Sequence, residues 1–313
     1  MRRPLEIFPI ILILLLISFG SCREDSLKIL KFGTESPTKF YQSIYLADSG
    51  SIKEPSHLEF FLSPVFKIKI PKTNATVGFV YNGWYGFYLG SSNSAPLFSR
   101  RQNPYVYIEF FPKFDRFNGA KGSPGLSIKQ TLYAHESNGM YLNNYSDFQK
   151  NERHFDSLGV KIDSKSLVSM GWNYWSTQAR FFMKKGKFEF SFNPEIRIFV
   201  PQEFEKIFKV SAELEDSVFY DPVHRNVSIR DYDGLRMELK SEYFVRSYLV
   251  GKVILGARRG LATDSSKMSL FGEMGIRFDD WGVFLGYHQG YGKDLATYPY
   301  WYKRINMGIE AIY

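Results

Sequence analysis

Apolar and polar side chains alternate with a period of two through much of the chain after residue 55. Near the start of this region, Phe66, Ile68 and Ile70 are separated by two lysines. A period of two is typical of a β-strand, whose successive side chains point to opposite faces of a sheet. The same alternation recurs at Val77, Phe79, Tyr81, Phe188, Phe190, Phe192, Ile196, Ile198, Val200, Leu235, Met237, Leu239, Met274 and Ile276. The pattern predicts a series of strands with one apolar and one polar face.

Turn-forming residues separate these segments at the spacing of antiparallel hairpins. They occur at 71–74, 184–186, 279–282 and 290–292. The pattern predicts about twelve strands, counting a weaker segment at 40–46, and each is as long as a tilted transmembrane strand requires. No long amphipathic helix is predicted. Because lipid cannot satisfy the backbone groups of an open edge, the predicted fold is all-β, an antiparallel transmembrane β-barrel.

The end of the chain has the pattern of a final membrane strand. Ile305, Met307 and Ile309 share one face, and the last residue is Tyr313. This resembles the terminal strand of bacterial outer-membrane barrels, although a soluble β-sandwich can end in the same way. Three polar and charged inserts are expected to be loops, at 91–103, 141–167 and roughly 202–230. Longer loops of such barrels usually lie on the extracellular side.

Composition narrows the possible classes of protein. Aromatic residues make up 18% of the chain, which suits sheets and membrane interfaces. Charged residues make up 23%, which excludes a bundle of membrane helices, since each span needs about 20 consecutive apolar residues. The net charge of +8 favours contact with anionic lipid headgroups, with a solvated basic surface as the alternative. No nucleic-acid partner is expected, because lysine and arginine are scattered.

Residues 1–21 are expected to be an export signal, because two arginines precede an apolar run at 7–19 and small residues follow it. A retained anchor is the alternative, although the run is shorter than a full helical span. Cys22, the sole cysteine, either carries lipid as in lipoproteins or is an incidental thiol. The expected organisation continues with an N-terminal segment at 22–36 and a barrel with a catalytic face at 37–313.

A candidate catalytic pair lies in the sequence YAHESNG at 133–139. His135 and Ser137 are two residues apart, so on a strand they project from the same face. A serine hydroxyl needs a base to become a nucleophile, and His135 can be that base if a third group holds its other ring nitrogen. Gly139 follows where its backbone N–H can turn toward a developing oxyanion. A chance pair is the alternative, since the chain has five histidines and many serines.

A second sequence, SMGWN at 169–173, supplies a candidate third group. It opens the next strand, so a hairpin would bring Asn173 across from His135. An amide oxygen can accept the imidazole N–H, although it supports an imidazolium less than a carboxylate does. The alternative is that Asn173 is only a turn or strand-end residue. The remaining histidines lack a comparable neighbourhood and are expected at the surface or in the barrel interior: His57, His154, His224 and His288.

These motifs, together with GYGKDL at 290–295, resemble the bacterial outer-membrane phospholipase A family from about residue 40 to the C terminus. The resemblance implies a twelve-stranded barrel with a triad on its lipid-facing wall, in which Ser137 is the nucleophile, His135 the base and Asn173 the orienting group. It also implies hydrolysis of acyl esters of membrane phospholipids and lysophospholipids, as by phospholipases A1 and A2. The active form would be a homodimer in the bacterial outer membrane, with its active site near the outer leaflet.

The resemblance further implies a Ca²⁺ ion at the dimer interface. Its ligands would be the Ser169 hydroxyl, the Met140 backbone carbonyl and Ser94 of the partner subunit, and hard oxygen donors suit this ion. A cation beside Gly139 would help to neutralise the oxyanion. The sequence departs from the family pattern at Met140, which replaces a common arginine and is tolerable if only its carbonyl binds. It departs again in a longer loop at 141–168, which could cover the site or alter dimer contacts.

A non-enzymatic outer-membrane pore or structural barrel is the main alternative, because polar inward positions are compatible with it. A lipoprotein adhesin built on a β-sandwich ranks last. That adhesin would be acylated at Cys22 and soluble once the lipid is removed.

Overall fold

The computed structural model describes residues 30–46, 57–88, 97–112, 124–137, 171–199, 233–261, 268–290 and 302–312. Its strands are β1 (Leu30–Thr34), β2 (Thr38–Leu46), β3 (His57–Leu62), β4 (Pro64–Lys69), β5 (Ala75–Tyr88), β6 (Leu97–Phe110), β7 (Gly125–Ser137), β8 (Gly171–Lys185), β9 (Phe188–Phe199), β10 (Leu235–Arg246), β11 (Leu249–Arg259), β12 (Ser269–Phe278), β13 (Trp281–Gly290) and β14 (Tyr302–Ala311). Within these ranges no helix is long and apolar enough to cross a membrane.

Backbone hydrogen bonds close twelve of these strands into a ring. The order around it is β5-β3-β2-β14-β13-β12-β11-β10-β9-β8-β7-β6, and β6 pairs again with β5. β1 runs into β2, and β3 runs into β4. Toward one rim of the barrel, β1 pairs with β4, and β4 pairs with β5. The ring is completed between β2 and β14, where Thr38 pairs with Ala311. The predicted fold, a closed antiparallel barrel of twelve strands, is confirmed.

Two segments join the sheet earlier than the pattern predicted. The expected loop at 91–103 is wrong in its second half, because β6 begins at Leu97. The loop was predicted because the segment is polar. Two of its polar residues, Arg101 and Asn103, are instead buried toward a polar barrel interior. β1 falls within 22–36, the segment expected to precede the barrel, yet it pairs with β4.

Several predicted features lie outside the described residues. They are the export signal at 1–21, Cys22, the loops at 141–167 and 202–230, and Tyr313. The weaker segment at 40–46 is confirmed as a strand, because β2 occupies Thr38–Leu46.

The two faces of the wall differ in polarity as the alternation predicts. Large apolar side chains on the outer face are exposed, including Met274 in the middle of β12 at 60%. Inside, charges are paired across strands. The Lys252 ammonium contacts Glu310 and lies 2.9 Å from Glu273, and Lys39 lies 2.5 Å from Glu273. A buried charge without a partner costs several kcal/mol, so pairing makes the polar interior tolerable.

Candidate active site

β7 contains a bulge at Leu132. Against β6, Val106 pairs with Tyr133 and the next residue, Tyr107, pairs with Thr131, so Leu132 is an extra residue. The pairing with β8 shifts at the same place. An extra residue in a strand exchanges the faces of all residues that follow it, because side chains alternate with a period of two. The bulge therefore divides β7 into two halves with opposite orientation.

The bulge turns the candidate catalytic residues outward. Before it, Lys129 and Thr131 line the interior cavity. After it, the inward position is Glu136, which is buried and contacts charged residues inside the barrel. His135 and Ser137, on either side of Glu136, consequently project from the outer wall. Counting by twos from Thr131 without the extra residue would place both of them in the lumen.

β8 presents its candidate residue on the same outer face. Asn173 shares its side of the strand with Trp175 and Met183, whose side chains are exposed on the outer wall. The intervening residues Tyr174 and Ser176 line the interior cavity. Asn173 itself is buried, so the neighbouring side chains on the outer wall cover it.

His135 and Asn173 are directly opposite each other in the β7–β8 ladder, which confirms the predicted hairpin register. The Nδ1 atom of His135 lies 2.8 Å from Oδ1 of Asn173. Because a carboxamide oxygen only accepts hydrogen bonds, the proton in this contact is on Nδ1. The neutral imidazole then has an unprotonated Nε2, which is the form that can accept a proton from a serine.

Ser137 is the last residue of β7 and is buried. It pairs with Gly171 of β8 and with Gln102 of β6. Two residues along a strand span about 7 Å between Cα atoms, a separation that the side chains of histidine and serine can bridge. The arrangement brings a hydroxyl, an imidazole and an amide together on one face of one hairpin.

Glu136 anchors the same part of β7 from the inside. Its Oε1 lies 2.6 Å from Nε of Arg101, a residue of β6. The amide of Asn103, also on β6, donates a hydrogen bond to Oε2 of Glu136 at 3.4 Å. Both contacts are buried, so water does not compete with them. The backbone between His135 and Ser137 is thus held to the neighbouring strand.

Tyr174 anchors β8 in the same interior layer. The Asn103 amide donates a second hydrogen bond, at 2.7 Å, to the Tyr174 hydroxyl. The guanidinium of Arg197, on β9, lies over the Tyr174 ring at 4.4 Å from its centroid, where a cation is attracted to the ring face. Asn173 is the next residue, so both strands of the site are fixed from the lumen side.

Asp233 completes this layer just before β10. Burial by itself would raise the pKa of its carboxyl, but the guanidinium of Arg236, which binds it, and Arg197 hold that pKa well below its usual range. The carboxylate is therefore ionised at neutral pH and balances the arginines around it.

The remaining predicted site residues, Ser94, Gly139, Met140 and Ser169, lie outside the described residues. Ser137 and Gly171, which bound the segment 138–170, pair with each other.

The two residues that flank that segment are neighbours in the sheet. Met140 and Ser169 are therefore within three residues of paired positions. Ser94 stands three residues before β6, which pairs with β7. Within the described ranges no group of three His, Cys, Asp or Glu residues could hold a metal.

The other described histidine side chain plays no part in this site. His288 is buried in the barrel, with Nε2 at 3.1 Å from a guanidinium nitrogen of Arg258. Of the two locations predicted for it, the surface and the barrel interior, His288 occupies the interior. Sequence reasoning missed one residue beside His135 and Asn173. Tyr133 projects from the same outer face, and its hydroxyl donates a hydrogen bond of 2.9 Å to Oδ1 of Asn173.

A closed antiparallel barrel with an apolar outer wall and a charged interior has the architecture of outer-membrane β-barrel proteins. Among solved structures, the fold is similar to outer membrane phospholipase A from Escherichia coli, with a TM-score of 0.55 and 15% identity over 90% of this chain and 98% of that chain. It is also similar to the Salmonella typhi outer membrane phospholipase dimer with bound calcium, with a TM-score of 0.56 and 15% identity over 90% and 92% of the two chains.

An active-site mutant of the E. coli protein gives a TM-score of 0.56 and 14% identity over 94% of this chain and 95% of that chain. No protein-family model matches the sequence, and no curated protein matches it either. The resemblance to outer-membrane phospholipase A is therefore confirmed at the level of the fold.

Proposed function

We propose that this protein is a calcium-dependent serine esterase that hydrolyses acyl esters of membrane phospholipids and lysophospholipids, a phospholipase of the A1/A2 type. The observation that carries the proposal is the 2.8 Å contact between His135 Nδ1 and Asn173 Oδ1. It lies on the outer face of a membrane-type barrel, beside Ser137. Neither a pore nor a structural barrel needs an oriented imidazole there.

In this reaction Ser137 Oγ attacks the ester carbonyl while Nε2 of His135 takes the hydroxyl proton. The imidazolium then gives that proton to the departing alcohol, which leaves as a lysophospholipid or a glycerol derivative. Water attacks the acyl-serine, again with His135 as the base, and releases a fatty acid. Asn173 accepts the Nδ1–H throughout and keeps the ring in the required tautomer.

The negative charge that develops on the ester oxygen needs donors beyond the triad. The proposed donor is the backbone N–H of Gly139. Calcium, when bound, would add positive charge near this oxygen. Its proposed ligands are the Ser169 hydroxyl, the Met140 carbonyl and Ser94 of the partner subunit, and all three are hard oxygen groups of the kind that calcium prefers.

Two comparisons support this assignment. The Salmonella protein of similar fold is a dimer with bound calcium, which suits a site completed by a second subunit. The E. coli active-site mutant has an asparagine replaced by alanine, which suits a catalytic role for an amide such as that of Asn173.

The position of the triad suits a substrate that arrives from the lipid phase. The exposed ring of Trp175 is on the outer wall beside the site, and an acyl chain can pack on such a surface. We place the protein in the bacterial outer membrane, active as a homodimer. The site lies at the rim where β7 ends, which we assign to the outer leaflet.

A fatty-acid release assay tests the proposal. Full-length protein folded in detergent and supplied with Ca²⁺ is expected to release fatty acid from phospholipid in mixed micelles, and Ser137→Ala is expected to release none. Ser127→Ala is the matched control, because Ser127 is a buried, inward-facing serine of the same strand. The proposal fails if the wild type releases no fatty acid or if Ser137→Ala releases as much.

A second candidate is a non-enzymatic pore, favoured by an interior cavity of about 520 Å³ with charged lining residues. Ion pairs such as Lys252 with Glu273 cross this interior. Conductance across a planar bilayer, together with no fatty-acid release, would select this candidate. Labelling of Ser137 by an alkyl sulfonyl fluoride would exclude it, because that reagent needs an activated nucleophile.

A further inference from the structure

Two donors converge on one oxygen at the centre of the site. The Nδ1–H of His135 and the hydroxyl of Tyr133 both contact Oδ1 of Asn173, at 2.8 and 2.9 Å. Tyr133 directly follows the bulge at Leu132, so it shares the outward face of His135. Without that bulge its hydroxyl would point into the lumen, away from Asn173.

An amide orienting group has a weakness that a carboxylate lacks. Both oxygens of a carboxylate accept hydrogen bonds, whereas a carboxamide presents an acceptor on one side and a donor on the other. If the Asn173 amide turned over, its NH₂ group would face Nδ1 of His135. The ring proton would then move to Nε2, and the imidazole could no longer take the proton of Ser137.

The hydroxyl of Tyr133 opposes this reversal. A phenol is a better hydrogen-bond donor than acceptor, so its contact favours the amide oxygen over the amide NH₂ at this point. The effect is strengthened by the burial of Asn173, which is only 5% exposed although Tyr133 is 44% exposed on the outer wall. Water therefore does not replace a hydrogen bond that is lost at the amide.

We propose that Tyr133 is a positioning residue for ester hydrolysis, which holds the Asn173 carboxamide with its oxygen toward His135. This inference rests on the proposed esterase function and deepens it. Tyr133 contacts Asn173 and acts on the imidazole through it. The unit that prepares Ser137 for attack is accordingly a chain of four residues in which the tyrosine fixes the amide, the amide fixes the imidazole, and the imidazole activates the serine.

Tyr133→Phe tests the proposal, because it removes only the hydroxyl and keeps the ring. Loss of one buried hydrogen bond is expected to lower kcat for phospholipid hydrolysis roughly tenfold, with KM unchanged. The acidic limb of the pH–rate profile is expected to move to lower pH, because the imidazolium loses an oriented acceptor.

Tyr287→Phe is the matched control. Tyr287 is 39% exposed on the outer wall, and its hydroxyl donates a hydrogen bond of 2.9 Å to Gln289 on β13. This variant loses a hydroxyl of the same kind at a place remote from the triad, and it is expected to keep the wild-type kcat and pH profile.

A second measurement reads the position of the ring proton without relying on activity. In protein with ¹⁵N-labelled histidine, the His135 resonances, assigned with His135→Gln, are expected to show the Nδ1–H tautomer in the wild type and a shift toward Nε2–H in Tyr133→Phe. In the Asn173→Asp background the tautomer is expected to stay Nδ1–H with either residue at 133, because both carboxylate oxygens accept.

The outcomes separate this inference from the proposed function. If Ser137→Ala is inactive but Tyr133→Phe keeps the wild-type kcat, pH profile and tautomer, the esterase stands and the role of Tyr133 is overturned. A tautomer shift of equal size in the wild-type and Asn173→Asp backgrounds also overturns it, since the hydroxyl would then act by another route. If the wild type hydrolyses nothing, the esterase fails, and the tautomer measurement alone decides whether Tyr133 orders the amide.

Discussion

Glu136 and Arg101 form an ion pair inside the barrel, with 2.6 Å between Oε1 and Nε, directly behind the outward-facing His135 and Ser137. The barrel wall is a single β-sheet. A contact on its inner surface therefore fixes the backbone whose neighbouring side chains project from its outer surface. Contacts on the lumen side of the wall therefore hold the candidate site in place.

Glu136→Gln is expected to destabilise the barrel and to lower activity. The change removes the charged partner of Arg101 and of Arg197, and breaking a buried ion pair by removing one partner costs about 3–5 kcal/mol. Unfolding by denaturant in detergent measures this loss. Glu189→Gln is the control, because its ion pair with Lys184 is at the surface, at 3.7 Å, and exposed pairs contribute about 1 kcal/mol or less. Equal losses for the two variants would contradict the interior anchor.

Deletion of Leu132 is expected to abolish labelling of Ser137 by an alkyl sulfonyl fluoride. Removing the extra residue restores the alternation across the bulge, so His135 and Ser137 would turn toward the lumen. Leu132→Ala keeps the residue count and is expected to retain labelling. Mass spectrometry of the labelled peptide distinguishes the two. Persistent labelling in the deletion variant would show that the bulge does not set the face of the site.

Met274→Arg is expected to destabilise the protein in lipid bilayers by roughly 2–4 kcal/mol, the cost of an arginine on the lipid face near the bilayer midplane. Met274 is outward-facing and lies in the middle of β12. Asn74→Arg, in the exposed turn between β4 and β5, is the control and is expected to have little effect. Folding titrations into vesicles measure both, and a neutral Met274→Arg would contradict a lipid-facing β12.

The proposed function has Ca²⁺ bound between two subunits, and it predicts that two different defective variants restore activity when they are mixed. Ser94→Ala damages the calcium site of the partner, and Ser137→Ala damages its own triad, so a mixed dimer retains one intact site. Half of the dimers in an equal mixture are mixed, so about a quarter of the wild-type activity should return at limiting Ca²⁺. Removing Ca²⁺ with a chelator should abolish it. A mixture of Ser137→Ala with His135→Gln should recover nothing. No recovery in the first mixture would contradict Ser94 acting across the interface.

The alternation of side chains predicted the strands and the shared face of His135 and Ser137, but not which side of the wall they occupy. That side depends on the bulge at Leu132, and a bulge of this kind has no residue signature in a single sequence. Tyr133 was missed for the same reason. Its position two residues before His135 does indicate that the two side chains share a face. Its hydrogen bond to Asn173, however, depends on the register between β7 and β8.

Polar residues misled the prediction where the barrel interior is charged. Arg101 and Asn103 made the start of β6 resemble a loop, although their partners Glu136 and Tyr174 are supplied by strands distant in sequence. A charged residue can be solvated at the surface or paired inside the lumen. Which of the two occurs depends on closure of the barrel, and closure cannot be predicted from the local sequence.

The pairing of Thr38 with Ala311 has a consequence for rearranging the chain. It brings the first and last strands of the ring together at the rim opposite the one where Ser137 ends β7. A short peptide joining these two strands, with new ends opened in the exposed turn at 71–74, would preserve every neighbour in the ring. Such a circular permutant should keep the arrangement of His135, Ser137 and Asn173, because both the joint and the new ends would lie a full barrel height away from these residues.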